Sequence, residues 1–322
     1  MSGTPRDLVF PDPARYGVDA VDPATRHLSE AIEKILAQTT PIHRLVPAEI
    51  RAARERGDGI WGPVVTVEGA RVRKIPGPAG EIAVRVIAPS EEPRGVYLHF
   101  HGGGWALGAA HHQDVPNQRI ATACGLAVVS VDYRLAPEDP YPAGPDDCEA
   151  AALWLVAHAQ REFGTRRLLI GGESAGAHLA VVTLLRLRDR HGLAPFAAAN
   201  LLFGAYDLSL TPSAARWGER NLILSTPIVE WCIDHFVPEP LRRHPDVSPL
   251  YADLAGLPPA LLTVGTDDPL LDDSLFLHAR WLAAGSQARL SVWPGGIHGF
   301  NAFPIPIADR SNAEIADFLA NA

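Results

Sequence analysis

The spacing of apolar positions along the chain changes near residue 72, and the change divides the sequence into two kinds of segment. Before it, residues 25–56 place Leu28, Ile32, Ile35 and Leu36 at helical spacing. Pro41 and Pro47 interrupt that pattern, so two short helices are predicted rather than one. After it, short apolar runs at 82–88, 96–100, 127–131, 168–171, 199–203, 260–265 and 290–293 alternate with helical stretches around 146–158, 175–190, 270–284 and 308–320. In the last helix Ile315, Phe318 and Leu319 form one apolar stripe, with Asp309, Arg310, Asn312 and Glu314 opposite. Apolar strands separated by helices predict an α/β fold, with a mostly parallel central sheet flanked by helices on both faces. Residues 76–80 are turn-rich and read as a connector. Residues 205–250 break the alternation with helical pieces, prolines and the large aromatics Trp217, Trp231 and Phe236. An insertion there belongs over the carboxyl edge of the sheet, where ligands bind in open α/β folds.

Composition narrows the function. A chain of 322 residues, 47% hydrophobic and 20% charged, can bury a large core without disulfides or metals. A net charge of -9 with no offsetting basic stripe excludes a nucleic-acid partner. Cys124, Cys148 and Cys232 are odd in number and widely spaced, which predicts free thiols in a reducing compartment. No membrane-spanning run occurs, and the first 17 residues, rich in proline and charge, lack the apolar centre of a signal peptide. These features together predict a cytoplasmic protein with no membrane partner.

The chemistry concentrates in glycine-flanked turns. Gly172-Glu173-Ser174-Ala175-Gly176 lies between a predicted strand and a predicted helix, the strand–turn–helix context of a nucleophile elbow. The pentapeptide alone is weak evidence, since a glycine-rich turn with a solvent-facing serine looks the same. His101-Gly102-Gly103-Gly104-Trp105 follows another strand, and three successive glycines let backbone amides approach a substrate oxygen. A phosphate loop is excluded by Leu107, which stands where G-x-G-x-x-G needs its third glycine.

A serine hydroxyl needs a histidine base, and the base needs an acid to orient it. Among 13 histidines, His298 stands in the loop Pro294-Gly295-Gly296-Ile297-His298-Gly299-Phe300, after a strand expected to end at Trp293. Asp268 follows the strand at 260–265, and the order Ser, Asp, His is that of the α/β-hydrolases. Asp267, Asp272 and Asp273 compete with it, and any of the four could simply cap the next helix.

With these motifs in order, the chain resembles the bacterial hormone-sensitive lipase-like esterases, a branch of the α/β-hydrolase fold. The marks are His101-Gly102-Gly103-Gly104, Asp132-Tyr133-Arg134-Leu135-Ala136-Pro137-Glu138, the elbow at 172–176, Asp268-Pro269-Leu270 and His298-Gly299-Phe300, together covering about residues 70–320. The resemblance implies a triad of Ser174, Asp268 and His298, with oxyanion donors from the N–H groups of Gly103, Gly104 and Ala175. It implies structural supports in 133–138 and at Asp147. It further implies a helical cap from residues 1–60 and 205–250 over a catalytic domain at 61–322, and homodimerisation through the last strand or C-terminal helix. Two positions depart from the family: Glu173 where many members carry Asp, and Ala177 where many carry Gly.

The expected activity is hydrolysis of soluble short- to medium-chain carboxylic esters through an acyl-enzyme, without a cofactor. Lactone, amide or carbamate hydrolysis on the same site is the nearest alternative. A non-catalytic small-molecule binder, like the plant gibberellin receptor that resembles this family but lacks the base, is opposed by His298. Trp105, beside the oxyanion glycines, and Phe300 are expected to line the substrate pocket. His111-His112-Gln113-Asp114 invites a metal reading, but no further ligand spacing supports it and no metal site is expected.

Overall fold

The computed structural model describes residues 17–322. The first part of the 1–60 segment, with most of the stretch read for an export signal, lies outside the described residues. Two short helices, α1 (Pro23–Leu36) and α2 (Pro47–Glu55), precede the sheet, as the two prolines predict. Each begins with proline at its first turn, where the missing N–H costs nothing.

The sheet is built from β1 (Arg71–Gly77), β2 (Gly80–Ile87), β3 (Gly95–Phe100), β4 (Leu126–Asp132), β5 (Leu168–Glu173), β6 (Phe196–Leu202), β7 (Ala260–Asp267) and β8 (Ala288–Ile297). Its order is β1-β2-β4-β3-β5-β6-β7-β8, with β1, β2 and β4 paired antiparallel and every later pairing parallel. Between the strands come α3 (Asp114–Cys124), α4 (Ala143–Phe163), α5 (Ala175–His191), the short α6 (Pro212–Arg216) with α7 (Thr226–Phe236), α8 (Leu271–Ala283) and finally α9 (Pro306–Asn321).

Because successive strand residues point to opposite faces, each central strand feeds two cores. Val96, Leu98 and Phe100 of β3 enter one core, shared with Leu155 of α4, Leu179 of α5 and Trp281 of α8. Tyr97 of the same strand enters the other, with Cys124 of α3 and Ile315 and Leu319 of α9. Both faces are covered, so the strands read as nearly continuous apolar runs.

The chain leaves β3 for β4 on one side and returns to β5 on the other. The carboxyl ends of β3 and β5 therefore flank the switch point where open α/β sheets form their crevice.

Several predicted elements change on contact with the structure. The 76–80 connector is the tip of an antiparallel hairpin: Pro76 and Gly77 belong to β1, and Gly77 pairs with Gly80. Helix α3 was not predicted, because its inward face carries buried Asp114 and Asn117 beside Ala121 and Cys124 and shows no apolar stripe. Strand β8 runs past Trp293 to Ile297, where it pairs with Asp267 across an irregularity. A side chain on Gly265 would lie 1.9 Å from the Gly296 carbonyl oxygen, so only glycine allows β7 and β8 to stay this close before His298.

One buried cation ties helices to a loop. Arg186 of α5 is 2% exposed and bonds Asp246 at 2.6–2.7 Å, Asp146 at 2.8 Å and Glu149 at 3.2 Å. Removing it would leave three carboxylates without their central partner. Arg186→Ala is expected to lower the unfolding free energy by about 3–5 kcal/mol. Arg190→Ala, which removes the rim cation of the same cluster, should cost less than about 1 kcal/mol. Urea unfolding of both variants measures the difference; equal costs would contradict this reading.

Candidate active site

Ser174 sits between the end of β5 and the first residue of α5 with φ +54° and ψ −119°. A side chain in that region is strained by about 1–3 kcal/mol and persists only where its surroundings hold it. The holding contacts are backbone ones. The Ser174 N–H donates to the Leu202 carbonyl at 2.9 Å, and its own carbonyl accepts from the His178 N–H at 3.1 Å. The elbow is pressed against the end of β3: a Cβ on Gly176 would lie 1.9 Å from the Phe100 carbonyl oxygen. Only glycine fits there.

The structure brings three of the predicted side chains into one hydrogen-bonded line. The Asp268 carboxylate can only accept, so His298 Nδ1–H donates to its Oδ2 at 2.9 Å. That leaves Nε2 of a neutral ring as the acceptor for the Ser174 hydroxyl, 3.0 Å away. Asp268 is buried, and its Oδ1 accepts the Leu270 N–H at 2.9 Å, which fixes the carboxylate plane. The ring of Phe203 meets the His298 ring edge-on at 4.8 Å. Such a chain can carry a proton from the hydroxyl to the imidazole while the carboxylate stabilises the resulting cation.

The glycine loop at 102–104 runs beside this line. A Cβ on Gly102 would fall 3.5 Å from Ser174 Cβ. Gly103 and Gly104 have φ of +124° and +58°, and the Gly103 carbonyl is occupied by the N–H groups of Ala106 and Leu107 at 3.2 and 2.8 Å. Among the described residues, neither Gly103 nor Gly104 donates its N–H to a backbone acceptor of the loops and turns. Ala175 opens α5, so its N–H has no acceptor within the helix. Three donors are thus available at a helix N-terminus and a glycine turn, the arrangement that stabilises a developing oxyanion.

A layer of buried polar groups fixes these loops from behind. His99 in β3 bonds Ser130, its partner in β4, at 2.8 Å, and its Nε2 meets both oxygens of Glu173 at 3.0 Å. This is the partner of the acid that departs from the family at position 173. Tyr133 donates its hydroxyl to the His101 carbonyl at 2.7 Å and stacks on the His101 ring at 4.3 Å. Arg134 closes on Asp147 through its guanidinium and its own backbone N–H, each at 2.9 Å. Sequence reading missed His99 as a functional support. The available signal was a histidine inside an otherwise apolar strand, which must find a polar partner once buried.

The competing aspartates have other work. Asp273 is buried and accepts the N–H groups of Tyr206 and Asp207 at 2.6 and 2.9 Å and the Thr211 hydroxyl at 2.6 Å. Burial pushes its pKa up to about 7, against the three donors that favour the carboxylate. Asp272 accepts the Ser213 N–H at 2.8 Å. These bonds latch residues 206–213 onto the segment that carries Asp268. Asp267 faces Arg220 at 3.7 Å near the surface.

Trp105 and Phe300, the residues expected to line the pocket, are both buried. Phe300 is wholly enclosed by the core around Ile297, Ile305 and Ile307, and its ring offers no surface to a ligand. Trp105 is buried too, stacked on Phe236 at 4.7 Å, and its indole N–H donates to His178 Nδ1 at 3.0 Å. His178 in turn donates Nε2–H to the Val247 carbonyl at 2.7 Å. Both aromatics secure loops of the site from within, because apolar rings beside a tight turn are more stable covered than wet.

Comparison with known proteins gives a consistent picture. The model of a family with the α/β hydrolase fold matches residues 97–302. The carboxylesterase NlhH of Mycobacterium tuberculosis is 32% identical over 298 residues, covering 88% of this chain and 92% of NlhH. The carboxylic ester hydrolase LipN of the same organism is 35% identical over 252 residues, covering 74% of this chain and 66% of LipN. A solved hormone-sensitive lipase from a metagenome library superposes with a TM-score of 0.81 at 28% identity, covering 94% of this chain and 98% of that one.

The buried histidines behind the site generate a pH dependence. Burial pulls His101 and His178 each down to about 4. In the unfolded chain both titrate near about 6.5. Between those values the unfolded state binds more protons at these two rings. Their contribution to stability therefore rises with pH and is lost as pH falls from about 6.5 towards about 4, opposed in part by the raised carboxyl of Asp273. Urea unfolding across that window should show the loss, and His178→Asn should make it shallower. Equal pH slopes in the two proteins would contradict the assignment of a buried neutral His178.

Proposed function

The chain belongs to the α/β-hydrolase family, among its hormone-sensitive lipase-like esterases, and from that premise we propose that Ser174, His298 and Asp268 are its catalytic triad. The protein is a carboxylic ester hydrolase. The observation that carries the residue assignment is the line of bonds from Ser174 Oγ through both nitrogens of His298 to Asp268, at 3.0 and 2.9 Å.

In this reading His298 Nε2 takes the Ser174 proton as Oγ attacks the ester carbonyl. The carbonyl oxygen becomes an anion held by the N–H groups of Gly103, Gly104 and Ala175. Collapse of the tetrahedral intermediate expels the alcohol, which takes the proton back from His298. Water, deprotonated by His298, then attacks the acyl-enzyme, and as the carboxylic acid departs His298 returns that proton to Ser174 Oγ. Asp268 stays ionised throughout and keeps Nδ1 protonated.

The remaining assignments belong to the same proposal. The helices α1 and α2 with residues 205–250 form a cap over a catalytic domain that begins near residue 61. Supporting this, Arg51 of α2 donates to the Ala106 carbonyl at 2.8 Å and pairs with Glu138, both next to the oxyanion turn. The substrates are small esters of short to medium acyl chain. Cys232 and Phe236 of α7 fill the space beside Gly104 and Trp105, which supports a small acyl site. No helix among the described residues is long and apolar enough to cross a membrane. Three free, buried thiols support a cytoplasmic location. A homodimer through the last strand or the C-terminal helix belongs to the same proposal, with β8 standing at one end of the sheet.

Ser174→Ala should lower kcat/KM for p-nitrophenyl butyrate by about 10⁴-fold or more, and Asp268→Asn by about 10²–10⁴-fold, without loss of fold. Across p-nitrophenyl esters of increasing length, kcat/KM should peak at short to medium chains. Undiminished hydrolysis by Ser174→Ala would overturn the triad.

A further inference from the structure

His111 and His112 lack a third metal ligand at any nearby spacing in the sequence, but the fold supplies one from a distant segment. Glu55, the last residue of α2, reaches the 3₁₀ turn Ala110–Gln113 that carries both histidines. Its carboxylate lies 3.1 Å from His111 Nε2 and 2.8 Å from His112 Nε2. Neighbouring histidines on an extended chain diverge. Here the turn sets both rings on one side, with centroids 4.4 Å apart. The three ligand atoms all lie within 4.8 Å of one another, and among the described residues no other group of three does so.

We propose that Glu55, His111 and His112 form a binding site for a borderline divalent transition metal ion such as Zn²⁺. The donor set of two imidazoles and a carboxylate suits that class of ion. In a tetrahedral site with bonds of about 2.0–2.1 Å the ligand atoms stand about 3.3 Å apart. The present nitrogen–oxygen gaps must therefore open by only a few tenths of an ångström. Glu55 can give way, since its side chain is 51% exposed, whereas the His112 side chain is 9% exposed and already oriented. Exposure of the carboxylate also lets water complete the coordination.

The nearby cation, Arg54, opposes a metal ion, but its guanidinium is turned to the Gly62 carbonyl at 2.7 Å.

An ion here would clip the end of α2 to the turn that follows the oxyanion loop. Arg51 of the same helix already holds Ala106. The metal would add a second fastening between the N-terminal helices and the sheet. Its role is to hold these segments together, and it takes no part in ester chemistry.

The test uses the full chain after EDTA treatment and dialysis, titrated calorimetrically with ZnCl₂. The expected result is one ion per chain with micromolar affinity and a rise of several degrees in Tm. Glu55→Gln and, separately, His112→Ala should weaken binding at least tenfold and abolish the rise, with ester hydrolysis as in the parent. The metal-free Tm of each variant reports its fold. Zinc affinity and Tm rise unchanged in the folded variants, or no binding up to about 1 mM zinc, would overturn the proposal.

Discussion

The constraint on which the rest depends is a backbone contact: the turn carrying Ser174 is pressed against the end of β3 so closely that Gly176 leaves 1.9 Å for any added Cβ. That contact follows from the topology. Strands β3 and β5 are neighbours in the sheet, and the chain turns sharply out of β5 into α5 above them. The same approach sets the glycine loop leaving β3 alongside the serine. The proposed nucleophile and oxyanion donors are thus located by the register of two strands rather than by flexible loops. The strained φ of Ser174 is a consequence, held by backbone bonds to Leu202 and His178.

Behind that contact the protein spends buried polar groups on holding loops still. Each is satisfied by partners on different elements. Glu173 and His99 join β5 to β3 and, through Ser130, to β4. Trp105, His178 and Val247 join the glycine loop at 102–104 to α5 and to the segment before β7. Asp273 joins α8 to residues 206–211. Satisfied networks of this kind favour one arrangement over near alternatives, because each broken bond would strand a polar group away from water. The neutral state of His178 belongs to this logic: one nitrogen donates and the other accepts, which a charged ring cannot do.

Much of this was legible in the sequence, and the misses have physical causes. The central strands read clearly because both faces are buried, which makes each an unbroken apolar run. The hairpin strand β1 was not legible, since its pattern is mostly exposed. Helix α3 hid behind Asp114 and Asn117, which are buried by specific partners and not by apolarity. Glycine spacing pointed to Ser174 and the loop at 102–104, but the residues alone left four aspartates in competition. What separates them is three-dimensional: Asp268 alone of the four bonds His298, while Asp272 and Asp273 hold the 206–213 segment. Trp105 and Phe300 were chosen as pocket residues for their proximity in sequence to the site, which does not reveal that both rings are buried. Glu55 had no signal at all, being 56 residues from His111.

The central claim is that one serine, held in a strained elbow, is the atom that attacks the ester. Covalent trapping tests it most directly. Treatment with an organophosphate ester followed by peptide mass spectrometry should place a single phosphoryl adduct on Ser174, formed in step with loss of esterase activity. Loss of activity with the adduct on another residue, or with Ser174 unmodified, would contradict the account.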